Sequence, residues 1–193
     1  MNKVVIFSAP SGSGKTTLVR HLLQRFPQLV FSVSATNRAA RGQEKHGHDY
    51  FFLTPEEFKL RVNNGDFVEW EEVYPGLCYG TLKSEVARIW SEGKVIAFDI
   101  DVCGGVNLKR LYGEQALSIF VSPPSIEVLR QRLESRGTDT PEAIQYRIAK
   151  AEEELAFAPQ FDVVIINDNL EQAKAEIETI VTDFLNDNNV ETA

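Results

Sequence analysis

The residues best suited to chemistry lie near the N-terminus, in the run Ser8-Ala-Pro-Ser-Gly-Ser-Gly-Lys-Thr-Thr17. An apolar run at 4–7 precedes it and leucines at helical spacing follow it, which predicts a strand, a turn and a helix. Glycines let successive backbone N–H groups turn inward around phosphate oxygens, and the helix N-terminus adds partial positive charge. In such a loop Lys15 reaches the terminal phosphates and the Thr16 hydroxyl can hold Mg²⁺. The run therefore predicts a phosphate loop that binds a nucleotide.

A phosphate loop alone does not identify the reaction, because ATPases, switch GTPases and small-molecule kinases all contain one. The usual pattern has a glycine five residues before the Gly-Lys unit, and Ala9 stands at that position here. A guanine-binding Asn-Lys-x-Asp segment is absent, since Asn167-Asp168-Asn169 lacks the lysine. This disfavours a switch GTPase, and the lack of a second large domain disfavours a motor ATPase.

A second group of basic residues lies between the first helix and the next predicted strand. Arg38 and Arg41 are three residues apart, and tyrosines follow at positions 50 and 79. Guanidinium groups bind phosphate oxygens through paired N–H donors, so two arginines and a tyrosine hydroxyl can form a second phosphate clamp. Alone, the pair would be interpreted as a solvated basic loop. Beside a phosphate loop, and with no other basic cluster nearby, the clamp is the better interpretation.

Acidic residues follow a buried strand at 95–98. Asp99 ends that run, where a carboxylate supports Mg²⁺ in phosphate-loop enzymes. Asp101 lies two residues further on, so it points to the same side if the strand continues.

The remaining pattern predicts the elements that position these residues. Apolar runs alternate with amphipathic helical segments, which is typical of a parallel α/β sheet. The stretch from about 34 to 79 departs from this rhythm, because it is richer in aromatic residues, glycine and short alternating runs, and it predicts a small inserted lobe. The predicted core strands are 4–7, 95–98, 117–121 and 163–166, and the predicted helices are 15–26, 84–92, 125–133, 141–157 and 170–185.

Composition limits the possible functions. The chain has 193 residues, a net charge of −8, 43% hydrophobic residues and 25% charged residues, which fits one globular domain. No apolar run approaches the roughly 20 residues of a membrane-spanning helix, and the acidic balance disfavours bulk nucleic-acid binding. Cys78 and Cys103 predict free thiols rather than a disulfide framework or a metal site. We therefore expect a cytoplasmic protein without membrane or nucleic-acid partners.

Several motifs in a fixed order resemble the guanylate kinase family over residues 4–185. Besides the phosphate loop, they are Ser34-x-Thr-x-Arg38-x-x-Arg41, Gly47-x-x-Tyr50-x-Phe52, Phe67-x-Glu69, Tyr79-Gly-Thr81, Asp99-Ile-Asp101 and Pro123-Pro-Ser125 leading to Arg132-Leu-x-x-Arg136-Gly137. The resemblance implies one α/β domain over residues 1–193, with a parallel-sheet phosphate-loop kinase core. That core would comprise 1–33, 82–124 and 151–193, with an inserted mixed α/β GMP-binding lobe at 34–81 and a helical lid at 125–150.

Carried over by position, the resemblance implies a role for each matched residue. The implied ATP-binding residues are Ser8, Ala9, Pro10, Ser11, Gly12, Ser13, Gly14, Lys15, Thr16, Thr17, Asn167 and Asp168. The implied GMP-binding residues are Ser34, Arg38, Arg41, Tyr50, Glu69, Tyr79, Thr81, Asp99 and Asp101, with Thr16 and Asp99 as ligands of Mg²⁺. The implied catalytic cations are Lys15, Arg38, Arg132, Arg136 and Arg147. Ala40, Cys78 and Cys103 depart from the family's common residues without removing a charged group.

The sequence thus predicts a Mg²⁺-dependent phosphotransferase that moves the γ-phosphate of ATP to GMP, giving GDP and ADP, with no oligomer required. The Glu69 carboxylate can accept from both N1–H and the 2-amino group of guanine, a pair of donors that adenine lacks. Two alternatives stay open. One is a catalytically silent guanylate-kinase-like module that binds proteins, although such a module need not keep Lys15, Thr16 and Asp99. The other is a kinase for a different nucleoside monophosphate, which Glu69 disfavours.

Overall fold

The computed structural model describes residues 2–137 and 139–187 as alternating strands and helices. The strands are β1 (Val4–Ser8), β2 (Leu29–Phe31), β3 (Ala35–Thr36), β4 (Phe51–Phe52), β5 (Phe67–Tyr74), β6 (Leu77–Leu82), β7 (Val95–Asp99), β8 (Ala116–Ser122) and β9 (Val163–Ile166). The helices are α1 (Lys15–Arg25), α2 (Pro55–Asn63), α3 (Lys83–Ser91), α4 (Val102–Tyr112), α5 (Ile126–Ser135), α6 (Pro141–Leu155) and α7 (Leu170–Asn186).

The core is a five-stranded sheet in the order β2-β7-β1-β8-β9, and every pair in it is parallel. The central strand β1 is buried along its whole length, as expected for a strand with helices on both faces. Its alternate residues enter two different apolar clusters. Val5 and Phe7 pack with α1 and α7, whereas Val4 and Ile6 pack with α3 and α4.

Capping side chains mark the start of several helices, among them α2, α5 and α6. Ser125 accepts a hydrogen bond from the N–H of Val128 at the start of α5, and Thr140 caps α6 with proline at the first helical position. Thr54 and Glu57 form a capping box at the start of α2. These caps fix where α2, α5 and α6 begin.

The inserted lobe has its own four-stranded sheet, in the order β4-β3-β6-β5, with both parallel and antiparallel pairs. Its helix α2 packs on this sheet through Phe58, whose ring stacks on Phe67 with centroids 4.6 Å apart. The helices α5 and α6 form a separate unit around Leu129, Leu133 and Ile144. Among the described residues, no helix is both long and apolar enough to span a membrane.

The α/β fold with a parallel core sheet is as predicted, and the four predicted core strands are present within one or two residues. Two core elements were missed, β2 and α4. The helix α5 carries Arg132 and ends at Ser135, so Arg136 lies just beyond its last residue.

Candidate active site

A cleft of about 390 Å³ opens at the carboxyl ends of β1 and β7, where the phosphate loop, the lobe and the lid meet. Ligands of parallel α/β sheets bind at this edge. The predicted site residues that line the cleft are Ala9, Pro10, Ser11, Gly12, Lys15, Thr16, Ser34, Tyr50, Glu69, Tyr79, Asp99, Asp101 and Arg136. The other predicted site residues do not line it: Ser8, Ser13, Gly14, Thr17, Arg38, Arg41, Thr81, Arg132, Arg147, Asn167 and Asp168.

The phosphate loop is held in shape by its own polar groups. The buried hydroxyl of Ser13 donates to the carbonyl oxygen of Pro10 at 2.6 Å, so this side chain closes the loop. Gly14 caps α1 with φ of 93°, a left-handed conformation that favours glycine. A side chain at Gly14 would also collide with the amide of Asn167, which donates to the Ser13 carbonyl at 2.7 Å. Asn167 therefore braces the loop from the end of β9.

Two side chains of the loop face the end of β7. The Lys15 Nζ atom pairs with Asp99 Oδ1 at 2.5 Å and donates to the carbonyl of Ile100 at 3.3 Å. Thr16 lines the same cleft as Asp99. Lysine, hydroxyl and carboxylate therefore line one cleft.

Behind the loop, Ser8 and Asp101 have structural partners. The Ser8 hydroxyl lies 3.0 Å from the carbonyl oxygens of both Ile100 and Asp101. The Asp101 carboxylate caps α4, because its Oδ1 accepts from the N–H groups of Cys103 and Gly104 at 2.8 and 3.0 Å. Asp101 still lines the cleft.

In the lobe, Arg38 is held by an acidic partner that the sequence analysis missed. Its two terminal nitrogens donate to the Glu44 carboxylate at 2.6 and 2.8 Å, and its guanidinium lies 4.8 Å from the centroid of the Tyr50 ring. The bonds from Arg38, with the N–H of Arg41, lower the pKa of Glu44 to about 2. The hydrogen bonds that Arg38 donates, first to Glu44 and then to the hydroxyl of Tyr79, raise the pKa of its guanidinium. The Arg41 side chain is exposed.

Glu69 lies deeper on the same lobe sheet. Its Oε1 accepts a hydrogen bond from the hydroxyl of Thr81, its cross-strand neighbour, at 2.7 Å. Burial raises the pKa of Glu69 to about 7, with a smaller contribution from the Asp101 carboxylate, against the opposing Thr81 bond. Ser34 lines the cleft beside it. The predicted pair Glu69 and Thr81 is therefore in direct contact.

The lid residues approach the phosphate loop from the other side. Arg147 donates to the Ser11 hydroxyl at 2.8 Å and pairs with Asp139 at 3.3 Å. Arg132 donates to the carbonyl of Asn167 at 2.8 Å. Arg136 lines the cleft and is exposed, and Asp168 is exposed at the end of β9.

Two further acidic residues near the site were not predicted. Glu154 lines it, and burial raises the pKa of its carboxyl. Glu71 lies two residues beyond Glu69 on β5, and one oxygen each of Glu71 and Asp101 lies within 4.8 Å of the Cys103 sulfur. Burial, and then the Asp101 carboxylate, raises the pKa of Glu71 to about 7. The i, i+2 spacing on a strand was the signal that could have placed Glu71 beside Glu69.

Comparison with known proteins agrees over nearly the whole chain. The sequence profile described as Guanylate kinase matches residues 1–184. A guanylate kinase of Bacteroides thetaiotaomicron is 60% identical over 184 residues, which is 95% of this chain and 90% of that protein. One from Porphyromonas gingivalis is 50% identical, over 96% of this chain and 99% of that protein.

Solved structures extend the comparison to the fold. The crystal structure of guanylate kinase from Anaplasma phagocytophilum superimposes with a TM-score of 0.73 at 30% identity, covering 94% of this chain and 85% of that one. The shikimate kinase from Bacteroides thetaiotaomicron has a TM-score of 0.51 at 14% identity, which is a likeness of fold alone. The profile match and the close relatives together show that this chain belongs to the guanylate kinase family.

Proposed function

We propose that this protein transfers the γ-phosphate of ATP to the phosphate of GMP, giving GDP and ADP. The observation that carries the proposal is that the phosphate loop and Glu69 line one cleft. A nucleotide held by the loop and a guanine held by Glu69 would then share that cleft. Guanylate kinase relatives with up to 60% identity support the same conclusion. The reaction belongs to purine nucleotide metabolism, and we propose the cytoplasm as the location of the protein.

On the ATP side, the backbone of residues 8–17 would cradle the phosphates, with Asn167 and Asp168 near the adenine. We propose Thr16 and Asp99 as the groups that hold Mg²⁺. Their hydroxyl and carboxylate oxygens are ligands that Mg²⁺ prefers, and no hydrogen bond among the described residues occupies the second carboxylate oxygen of Asp99. When bound, Mg²⁺ supplies positive charge that offsets the charge of the phosphates.

On the GMP side, Arg38, Arg41, Tyr50 and Tyr79 would hold the phosphate. The side chains of Arg38, Tyr50 and Tyr79 already form one cluster, because Arg38 lies over the Tyr50 ring and the two tyrosine rings are 5.8 Å apart. The guanine would be read by residues on the adjoining cleft wall, with Asp99 and Asp101 close to both substrates. These base-reading residues are Ser34, Glu69 and Thr81.

The chemistry needs no side-chain nucleophile, because the acceptor phosphate is already anionic at neutral pH. Two polyanions must approach in line, so catalysis consists mainly of positioning and neutralisation of charge. We assign that neutralisation to Lys15, Arg38 and the lid residues Arg132, Arg136 and Arg147. Closure of the lobe and the lid would exclude water and so prevent hydrolysis of ATP.

The protein-binding alternative is not favoured, because the lysine, threonine and aspartate that it could dispense with are assembled in the cleft. A coupled assay of ADP formation with GMP, IMP and AMP tests the proposal. IMP lacks the 2-amino group, so the loss of one hydrogen bond to a carboxylate should lower kcat/KM about 10- to 100-fold. The kcat/KM for AMP should be about 10⁴-fold lower than that for GMP, because the N1 atom of adenine would direct a lone pair at Glu69. Equal use of AMP and GMP would contradict the assignment.

A further inference from the structure

The lobe joins the core through two chain segments that meet near one buried carboxylate. The first segment is Ser32–Ser34, which leaves β2 and enters β3. The second is the start of α3, where the N–H of Lys83 donates to the Asp66 carbonyl at 2.9 Å. Glu85 lies in the first turn of α3 and is only 3% exposed.

Glu85 contacts both of these segments. Its Oε1 accepts from the backbone N–H of Val33 at 3.3 Å. The guanidinium of Arg88, one turn along α3, donates to both oxygens of the same carboxylate at 2.9 Å. Within the part of the chain that the structure describes, the bond to Val33 is the only side-chain hydrogen bond to Ser32–Ser34.

The residues on either side of Val33 are bonded to different sheets. The N–H of Ser32 donates to Ala97 of the core sheet, whereas the carbonyl of Ser34 accepts from Phe51 of the lobe sheet, both at 2.9 Å. Val33 is therefore the residue at which the chain passes from core to lobe. Its N–H is fixed from α3, and the next residue, Ser34, lines the cleft.

We propose that Glu85 is a positioning residue of the GMP site, because it fixes the hinge peptide before Ser34 and so limits the orientations of the lobe. This inference rests on the proposed function. Without the bond to Val33, the lobe would sample more orientations, and a smaller fraction of molecules would be ready to bind GMP. Apparent affinity falls in proportion to that fraction. The phosphate loop belongs to β1 and α1, so binding of ATP is not affected.

Three substitutions separate this role from a merely structural one. Glu85→Ala removes the acceptor, and Glu85→Asp keeps the charge but shortens the side chain away from Val33. Glu85→Gln keeps an acceptor oxygen at the same reach. We expect Ala and Asp to raise the KM for GMP about three- to ten-fold, the effect of losing one ordinary hydrogen bond. The KM for ATP should stay within about two-fold, and Gln should restore the wild-type KM for GMP.

A matched control lies elsewhere in the core. The Asp162 carboxylate also accepts from a backbone N–H, that of Ser118 at 2.8 Å, and pairs with Lys109 at 3.0 Å. Asp162→Ala should lower the melting temperature and leave the KM for GMP unchanged. The proposal is overturned if the Ala and Asp variants bind GMP as the wild type does, if Gln fails to restore binding, or if Asp162→Ala raises the KM equally. If the wild type does not phosphorylate GMP, the proposed function fails instead, so the two failures are distinct.

Discussion

Glu69 gives the proposed activity a dependence on pH that can be worked out from the structure. Burial raises the pKa of its carboxyl to about 7. Only the carboxylate form can accept from both donors of guanine, so the free enzyme must lose this proton before it reads the base. Because kcat/KM reports ionisations of the free enzyme and free substrate, its value for GMP should rise as the pH rises through about 7.

The size of the effect follows from the fraction of enzyme in the carboxylate form. For a group with a pKa of about 7, that fraction falls about ten-fold between pH 8 and pH 6. The substrate adds a smaller change, because a phosphate monoester has a second pKa near 6 and loses about half of its dianion by that pH. We therefore expect kcat/KM to fall about 20-fold over this range, and by a steeper slope below it.

Glu69→Gln is the matched variant, because it keeps the shape of the side chain and cannot ionise. Its kcat/KM for GMP should be lower at pH 8 but should fall only about two-fold by pH 6, from the phosphate alone. The measurement is initial rate against GMP concentration at saturating ATP, from pH 5.5 to 8.5, for both proteins. Identical pH profiles for the two proteins would refute the reasoning, as would a flat wild-type profile between pH 8 and 6.

Further predictions concern charge, stability and closure. Lys15→Ala should lower kcat by about 10²–10³-fold with native circular dichroism, because a preorganised charge is lost. Glu69→Gln should raise the melting temperature at pH 8 more than at pH 5. Because the pKa of Glu69 is raised to about 7, the stability that its protonated form contributes is lost in the wild type as the pH rises through that value, whereas glutamine stays neutral. Lys3, which is fully buried, donates to the carbonyls of Phe184 and Asp187 at 2.6 Å. Lys3→Met should therefore cost about 1–3 kcal/mol of stability in a denaturant titration and leave both KM values unchanged. Small-angle scattering should show a smaller radius of gyration with a bisubstrate analogue than without it.

The parts of the fold that were predictable are those with a strong local pattern. Residues 4–7 are a continuous apolar run because β1 is buried on both faces. The missed strand β2 has only three residues and lies at the edge of the sheet, so it has little pattern to show. The missed helix α4 contains Gly104 and Gly105, which are poor helix formers. A side chain at Gly105 would meet Ser8 and Phe161, so tertiary packing rather than local propensity selects glycine there.

The candidate site shows the same division. The placement of Lys15, Thr16 and Asp99 at one cleft could be predicted, because the phosphate loop and the end of a parallel strand meet at the same edge of the sheet. The pairing of Arg38 with Glu44 could not, because they lie six positions apart in irregular chain and their geometry comes from the turn between them. The structural role of Asn167 was missed for a similar reason, since its contact with Ser13 spans 154 positions in the sequence.

The pairing of charges around the cleft bears on how a protein with a net charge of −8 can bring two polyanions together. Lys15 is paired with Asp99, Arg38 with Glu44 and Arg147 with Asp139. Each partner offsets the cost of holding a partly buried cation and keeps it in one orientation. A phosphate must therefore share or displace a carboxylate at each position, which weakens the binding of any single anion. Only a ligand that meets several of these cations at once gains enough to compete, so the arrangement favours two correctly placed nucleotides over isolated phosphate.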